Sequence, residues 1–245
     1  MRQPWVIAHR GASGHAPENT MVAFRRAVEL GARFIETDLQ MTRDARFVTI
    51  HDSTVERTTN GRGAVRDLTL AQIAELDAGK WFDRSFMGER VPTLENVLTF
   101  GREADIVLYL EIKYEVAHGL HHSLAAELAS NGDAARVVLL SFDPTTLDGL
   151  RQFDRTLMTG LLVEAMHPDS VKLALGIGAR QFCPRADLVT PAMVAEAHQA
   201  GLQVATWTAN KPDQMRRLIN AGVDGVMTDF PDRLKAVIEN LEPED

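Results

Sequence analysis

The chain has 245 residues, 45% of them apolar and 24% charged, with a net charge of −8 and a pI near 5.5. That length supports a large core, and the acidic balance excludes a general nucleic-acid or anionic-membrane surface, because no basic excess exists to neutralise phosphates. The lone Cys183 excludes an intrachain disulfide and no stretch reaches membrane-span length, so a cytoplasmic protein is expected.

The first apolar run, WVIAH (5–9), ends on His9 and Arg10 and passes into the glycine-containing turn HRGASG. NTMVAFRRAVELG then spaces Val22, Ala23, Ala27, Val28 and Leu30 at a helical period and closes on Gly31, with Asn19 or Thr20 suited to its N-cap. RFIETDLQMT (33–42) reads as the second strand. Residues 44 to 91 break the rhythm: RFVTIHD is followed by a polar stretch too long for a simple strand-to-helix loop. In it Thr69–Leu76 reads as a short helix, and 53–91 is taken as a cap segment inserted between the second strand and its helix.

Six more strand-like runs follow: IVLYLEIK (106–113), RVVLLSF (136–142), LMTGLLV (157–163), QFCPR (181–185), QVATWT (203–208) and GVMTD (225–229). Helical patterns such as TLENVLTFGRE, HSLAAELASNG, DPTTLDGLRQF, PAMVAEAHQAG, KPDQMRRLINAG and PDRLKAVIEN separate them. Pro184 makes QFCPR the weakest strand, and Asp229 suits a cap for the helix starting at Pro231. Strand–helix alternation implies parallel strands with helical crossovers. Eight units in this length predict one α/β domain over 1–245, a (β/α)8 TIM barrel.

Polar residues cluster at the strand ends. Glu36 and Asp38 lie two apart, so a strand points both the same way; Glu111 and Lys113 repeat the spacing, and His51 and Asp52 follow the second strand. Ionised carboxylates inside a barrel must be paired or metal-bound. Glu36, Asp38 and Glu111 make an oxygen-rich site for a hard divalent cation, Mg²⁺ or Ca²⁺. With that cation, Lys113 and Arg10, the site carries one net positive charge, which a phosphodiester would balance. His9 and His51 can divide the proton transfers, one taking a proton from the attacking oxygen and the other protonating the leaving alkoxide. Arg10 and Lys113 would stabilise charge on the phosphoryl oxygens.

Each feature has a structural counterpart: a hydrogen-bonded histidine, a salt-bridged carboxylate pair, a Glu111–Lys113 ion pair. Trp207 either lines a ligand pocket at the barrel mouth or packs there. The functional reading is preferred because seven such residues fall at the ends of the first three units. His118, His121 and His122 have helical spacing that suits a transition metal, but no second cluster accompanies them and no site is assigned there.

The joint pattern of HRG, PENT, ExD and HD, continued by VPTLENVL, LEIK, ATWTAN and GVDGVMTDFP, resembles the glycerophosphodiester phosphodiesterase family over most of the chain. The resemblance implies a TIM barrel with a small inserted cap. It implies metal-dependent hydrolysis of glycerophosphodiesters to sn-glycerol 3-phosphate and an alcohol. By position it implies His9 and His51 as the acid/base pair and Glu36, Asp38 and Glu111 as metal ligands. Arg10 and Lys113 would contact phosphate, and Trp207 would line the substrate pocket. The family mechanism has the glycerol 2-hydroxyl attack phosphorus to give a cyclic phosphate that water opens; the residues do not separate this from direct attack by water.

One departure is Asp44-Ala45-Arg46, where the family often has Asp-Gly. A positive φ would disfavour Ala45 by about 1 kcal/mol, so this turn is expected to differ. Two alternatives are a cyclising or lysophospholipase D-like enzyme acting on lyso-lipids and a catalytically silent barrel that binds phosphodiesters. The first needs an apolar rim, for which the insertion offers Trp81, Phe82, Phe86 and Met87 but no long basic amphipathic helix. The second would lack a histidine or a carboxylate, and the full set is present. The expected partner is therefore a small-molecule glycerophosphodiester, with no nucleic acid and no stable membrane association; headgroup and oligomeric state are left open.

Overall fold

The computed structural model describes residues 3–113, 120–130 and 133–241, with backbone alone for 120–122 and 130. His118 lies outside the described residues, as do the side chains of His121 and His122.

In chain order the elements are β1 (Trp5–Ala8), α1 (Met21–Glu29), β2 (Phe34–Met41), β3 (Phe47–Thr49), α2 (Leu70–Ala74), α3 (Leu94–Glu103) and β4 (Val107–Ile112). Then come α4 (Leu120–Ser130), β5 (Val137–Ser141), α5 (Pro144–Phe153), β6 (Met158–Val163), α6 (Ser170–Gly176) and β7 (Gln181–Pro184). The chain ends with α7 (Pro191–Gln199), β8 (Gln203–Thr206), α8 (Pro212–Asn220), β9 (Gly225–Thr228) and α9 (Pro231–Glu239). β1 pairs in parallel with both β2 and β9, and the remaining strands follow in sequence between them. Eight parallel strands therefore close into a TIM barrel, and all eight expected runs contribute one strand each.

Period-two alternation sorts each strand between two cores. In β4, Leu108, Leu110 and Ile112 join the apolar layer shared with the helices, whereas Tyr109 packs inside the barrel with Ile7, Val138, Leu140, Leu162, Cys183, Ala205 and Met227. Burial pushes the Cys183 thiol up to about 12, so the lone cysteine is an inert filler. Thr20, Thr69, Thr93, Asp143 and Thr190 each accept a backbone N–H at a helix start. Such a cap is worth about 1 kcal/mol, which helps set where each crossover begins. No described helix is long and apolar enough to cross a membrane.

Four features differ from expectation. β3 is a three-residue antiparallel return on the end of β2, Leu39 facing Thr49 and Met41 facing Phe47, and it is too short to show a period. α6 has only seven residues, and no pattern marks it for the same reason. Asp229 does not cap α9, whose N-cap is Phe230 without a side-chain bond. The turn after β2 does not avoid the left-handed region either: Ala45 sits at φ 57, with its N–H on the Thr42 carbonyl. The Asp44 carboxylate accepts from Thr42 Oγ1 and from the backbone of Leu70, which fixes the turn and docks the start of α2.

Residues between β3 and α3 have a small core of their own, in which Val55, Val65, Ile73, Ala78 and Val91 pack under Val48 and Ile50. Thr54 bridges Ala64 within this segment, and Val48 bridges Thr93, which ties together its two ends.

Because Ala45 is exposed, Ala45→Gly loses no packing. The left-handed cost of about 1–2 kcal/mol, partly offset by glycine's greater unfolded-state freedom, predicts a stabilisation of about 0.5–1 kcal/mol. The urea midpoint measures it; a fall in midpoint would mean that the methyl group makes contacts that matter.

Candidate active site

The register of β2 on β4 builds the acidic cluster. Asp38 lies directly beside Glu111, and the period of two puts Glu36 on the same inward face. One carboxylate oxygen from each of the three lies within 4.8 Å of the others, and Glu36 and Asp38 are buried. Glu36 Oε2 accepts the backbone N–H of Arg10 at 2.9 Å, while its Oε1 is buried without a hydrogen bond. An orphaned, inward-facing carboxylate oxygen costs free energy unless something binds it. Three carboxylates converging with such an oxygen fit a hard divalent cation, which takes oxygen ligands and keeps water in its other positions.

Two cations lean into the same cluster. The Lys113 ammonium pairs with Asp38 Oδ1 at 2.7 Å and donates to Glu111 Oε1, and Arg10 Nε lies 3.2 Å from Asp38 Oδ2. Asn19, itself at φ 56, donates to Asp38 Oδ2 at 2.7 Å and accepts from Thr37 Oγ1, so the PENT turn locks the carboxylate. Burial disfavours the Asp38 charge, but Lys113 and Arg10 outweigh it and hold this carboxyl well below its usual range. Glu36 goes the other way: burial first, then the neighbouring Asp38 charge, push it up to about 8. The same two causes raise Glu111. Without a cation the trio thus retains a proton that a metal would displace.

Both histidines are held through Nδ1 by a carboxylate. His9 Nδ1 donates to Asp229 Oδ1 at 2.6 Å; Asp229 also accepts from Ser13 Oγ at 2.9 Å and from Asn210 Nδ2 at 2.5 Å. Burial lowers the His9 pKa, but the Asp229 bond and the nearby Glu36 raise it above the ordinary value. His9 Nε2 lies 3.9 Å from Glu36 Oε2. His51 Nδ1 donates to Asp52 Oδ1 at 2.7 Å, and Asp52 is gripped by Arg57. In both pairs the anchored Nδ1–H leaves Nε2 free for chemistry.

The glycine of HRG is required by shape. Gly11 has φ 80, and a Cβ there would lie 2.7 Å from the Ala23 backbone. Arg10 is itself left-handed, at φ 55, which aims its N–H at Glu36. A void of about 10 Å³, room for about one water, lies between His9, Glu36, Glu111, Leu140, Leu162, Trp207 and Met227. Trp207 donates from Nε1 to the Cys183 carbonyl at 2.8 Å and meets Phe142 edge to face, so it both packs and lines the void.

The structure therefore brings His9, Arg10, Glu36, Asp38, Glu111 and Lys113 into one contact network, with Trp207 at its edge and His51 joined to Arg10 by the chain of ion pairs through Asp52, Arg57 and Glu18. Sequence reasoning missed the residues that do the holding: Asp229, Ser13, Asn210, Asn19, Glu18 and Arg57. Asp229 carried the one available signal, a lone carboxylate ending the strand that closes the barrel onto β1.

A polar mouth at the carboxyl ends of the parallel strands, with three converging carboxylates, stands where TIM-barrel enzymes place their chemistry. Residues 9–233 match the glycerophosphoryl diester phosphodiesterase family, and the chain belongs to it. A glycerophosphodiester phosphodiesterase of Caldanaerobacter subterraneus subsp. tengcongensis is 39% identical over 231 residues, covering 94% of this chain and 95% of the relative. One from Bacillus subtilis is 36% identical, covering 93% and 84%. Among solved structures, an Oleispira antarctica phosphodiesterase in complex with the product sn-glycerol-3-phosphate superposes with a TM-score of 0.88 at 27% identity, covering 97% of this chain and 98% of that one.

The raised pKa values make a signed prediction. Glu36, Glu111 and His9 all bind protons more tightly in the folded chain, so the stability they confer is complete at low pH and is lost as pH rises through the folded values. For Glu36 the window runs from about 4.3 up to about 8. The chelated protein should thus lose thermal stability across this range, and a divalent cation should raise Tm more at pH 8 than at pH 6. An increment independent of pH would mean that the carboxylates are already ionised without the cation.

Proposed function

We propose that this chain hydrolyses glycerophosphodiesters to sn-glycerol 3-phosphate and an alcohol, with Glu36, Asp38 and Glu111 as ligands of one divalent cation. The observation that carries this reading is the orphaned Glu36 Oε1 within a three-carboxylate cluster, on a carboxylate whose other oxygen lies 3.9 Å from a carboxylate-held histidine. An oxygen-only donor set suits Mg²⁺ or Ca²⁺ over ions that seek nitrogen or sulfur. When bound, the cation would polarise a phosphoryl oxygen as a Lewis acid.

The remaining roles belong to the chain's own side chains. Arg10 and Lys113 stay charged, because burial, the largest single influence, is outweighed by the surrounding carboxylates together, Asp38 with Glu18 and Glu36 at Arg10 and Asp38 with Glu111 at Lys113, and they face the phosphoryl oxygens. His9, with its raised pKa, keeps a proton on Nε2 and delivers it to the leaving alkoxide. His51, fixed at Nδ1 by Asp52, takes the proton from the attacking hydroxyl at Nε2. Leu162 lines both the small void and a groove of about 260 Å³ bounded by Phe142, Pro144, Val163 and Leu173. We assign that groove to the leaving alcohol; Phe142 on its wall meets Trp207 edge to face. Residues 53–91 act in this reading as the cap of a single barrel unit. The partner is a small diester met in the cytoplasm, and the net charge of −8 supports the absence of nucleic acid and stable membrane binding.

The test is release of glycerol 3-phosphate from glycerophosphocholine, measured with chelator and again with Mg²⁺ or Ca²⁺ restored. Cation-dependent release is expected, and His9→Ala or His51→Ala should each cost at least about 10²-fold in turnover with the fold intact. Near-normal turnover in either variant would remove that histidine from the reaction. No release from any headgroup with any cation would favour a silent, ligand-binding barrel.

A further inference from the structure

Arg57 makes more directed ion-pair contacts than any other side chain near the mouth, yet it touches neither the acidic cluster nor the void. It stands on the inserted segment, which is anchored beside it by the buried Val55 and by the Val55 N–H on the Gly63 carbonyl. Its guanidinium forks onto Asp52 through Nε at 2.7 Å and Nη2 at 2.9 Å. It forks a second time onto Glu18, through Nη1 and Nη2 at 2.8 Å each. Each carboxylate passes the constraint on: Asp52 Oδ1 takes the His51 Nδ1–H at 2.7 Å, and Glu18 Oε1 takes Arg10 Nη1 at 2.8 Å.

We infer that Arg57 is a positioning residue that holds His51 and Arg10 in one geometry, joining the proton acceptor and the phosphate-facing cation through Asp52 and Glu18; this rests on the roles proposed above for those two residues. The physical need is plain. The His51 and Asp52 side chains are 36% and 30% exposed, and a histidine–carboxylate pair left that open to water is weakly fixed. A fork that occupies both oxygens of a carboxylate stops its rotation, and a carboxylate that cannot rotate fixes the imidazole it holds. Glu18 differs in being only 13% exposed, and without Arg57 its charge would lean on Arg10 alone and draw the guanidinium away from Asp38. Lysine offers a point charge and cannot fork onto two carboxylates at once. The insertion would thus contribute to the site through one side chain that reaches both halves of it.

A merely structural tether predicts something else. It would lower thermal stability when removed and leave the kinetic constants alone. The experiment uses the full chain with saturating Mg²⁺ or Ca²⁺ and glycerophosphocholine as substrate. It compares Arg57→Ala, Arg57→Lys, Glu18→Gln, Asp52→Asn and the two doubles that pair Arg57→Ala with each carboxylate change. Arg57→Ala should lose about 10- to 100-fold in kcat/KM, the usual cost of an outer partner, and Arg57→Lys should recover little of it. The loss should divide by arm: in the Asp52→Asn background Arg57→Ala should no longer lower kcat, and in the Glu18→Gln background it should no longer raise KM. Unchanged kcat and KM beside a lowered Tm, or effects that simply multiply in both doubles, would overturn the proposal.

A second readout does not depend on turnover. The His51 Nδ1–H, bonded to Asp52, should give a downfield proton resonance, assigned by its loss in His51→Gln. It should vanish or broaden in Arg57→Ala and persist in Glu18→Gln. Its persistence in Arg57→Ala would overturn the His51 arm. If the parent chain cleaves no glycerophosphodiester, the reaction assigned above fails, and this resonance still decides whether Arg57 orders the imidazole.

Discussion

Three carboxylates pressed together at the mouth of a barrel are the constraint from which the rest of this molecule follows. Glu36, Asp38 and Glu111 cannot all be ionised side by side in a buried site without compensation. Asp38 is satisfied by Lys113, Arg10 and Asn19, and it is the one member whose charge is firmly held. Burial and the Asp38 charge raise Glu36, and they raise Glu111 as well despite its bond from Lys113, so the cluster favours a proton or a cation among its oxygens. A divalent cation among these oxygens would relieve that repulsion.

The surrounding polar groups read as consequences of that arrangement. His9 stands next to Glu36, where a neutral imidazole would be favoured by burial alone, and Asp229 tips it toward the charged form. Asp229 can do so only because β9 closes onto β1, bringing residues 220 positions apart within 2.6 Å. His51 has its own carboxylate in Asp52, but this pair is more exposed and relies on Arg57 for its rigidity. The two histidines thus sit on different supports: one is braced by the barrel's closure, the other by the inserted segment. The two imidazoles are chemically identical, and their surroundings alone set them apart.

The eight strands and most of the helices were legible from residues 5 to 239 because period two, period 3.6 and capping residues are local signals. The acidic cluster was legible for the same reason: Glu36 and Asp38 share a face by spacing alone, and Glu111 ends the neighbouring strand in a parallel alternation. The clustering of His9, Arg10, His51 and Lys113 at strand ends followed once a barrel was accepted, since a barrel gathers those ends at one mouth. β3 and α6 escaped because three and seven residues are too few to show a period. The positive φ at Ala45 escaped because the fixed ends of that turn, Thr42 bonded to Arg46 and Asp44 bonded to Leu70, outweigh one residue's preference.

Local pattern thus reached the fold and the polar residues gathered at the barrel mouth, while the residues that hold them in place belonged to distance. Asp229 suits a helix cap by its position, and nothing in the neighbourhoods of Glu18 or Arg57 marks them. Their contacts span 220, 8 and 39 positions: Asp229 meets His9 where β9 closes onto β1, and Glu18 meets both Arg10 and Arg57 of the segment between β3 and α3. A side chain's chemistry is written where it stands in the chain, but its pKa, its orientation and its partners are set by whatever the closed barrel brings beside it.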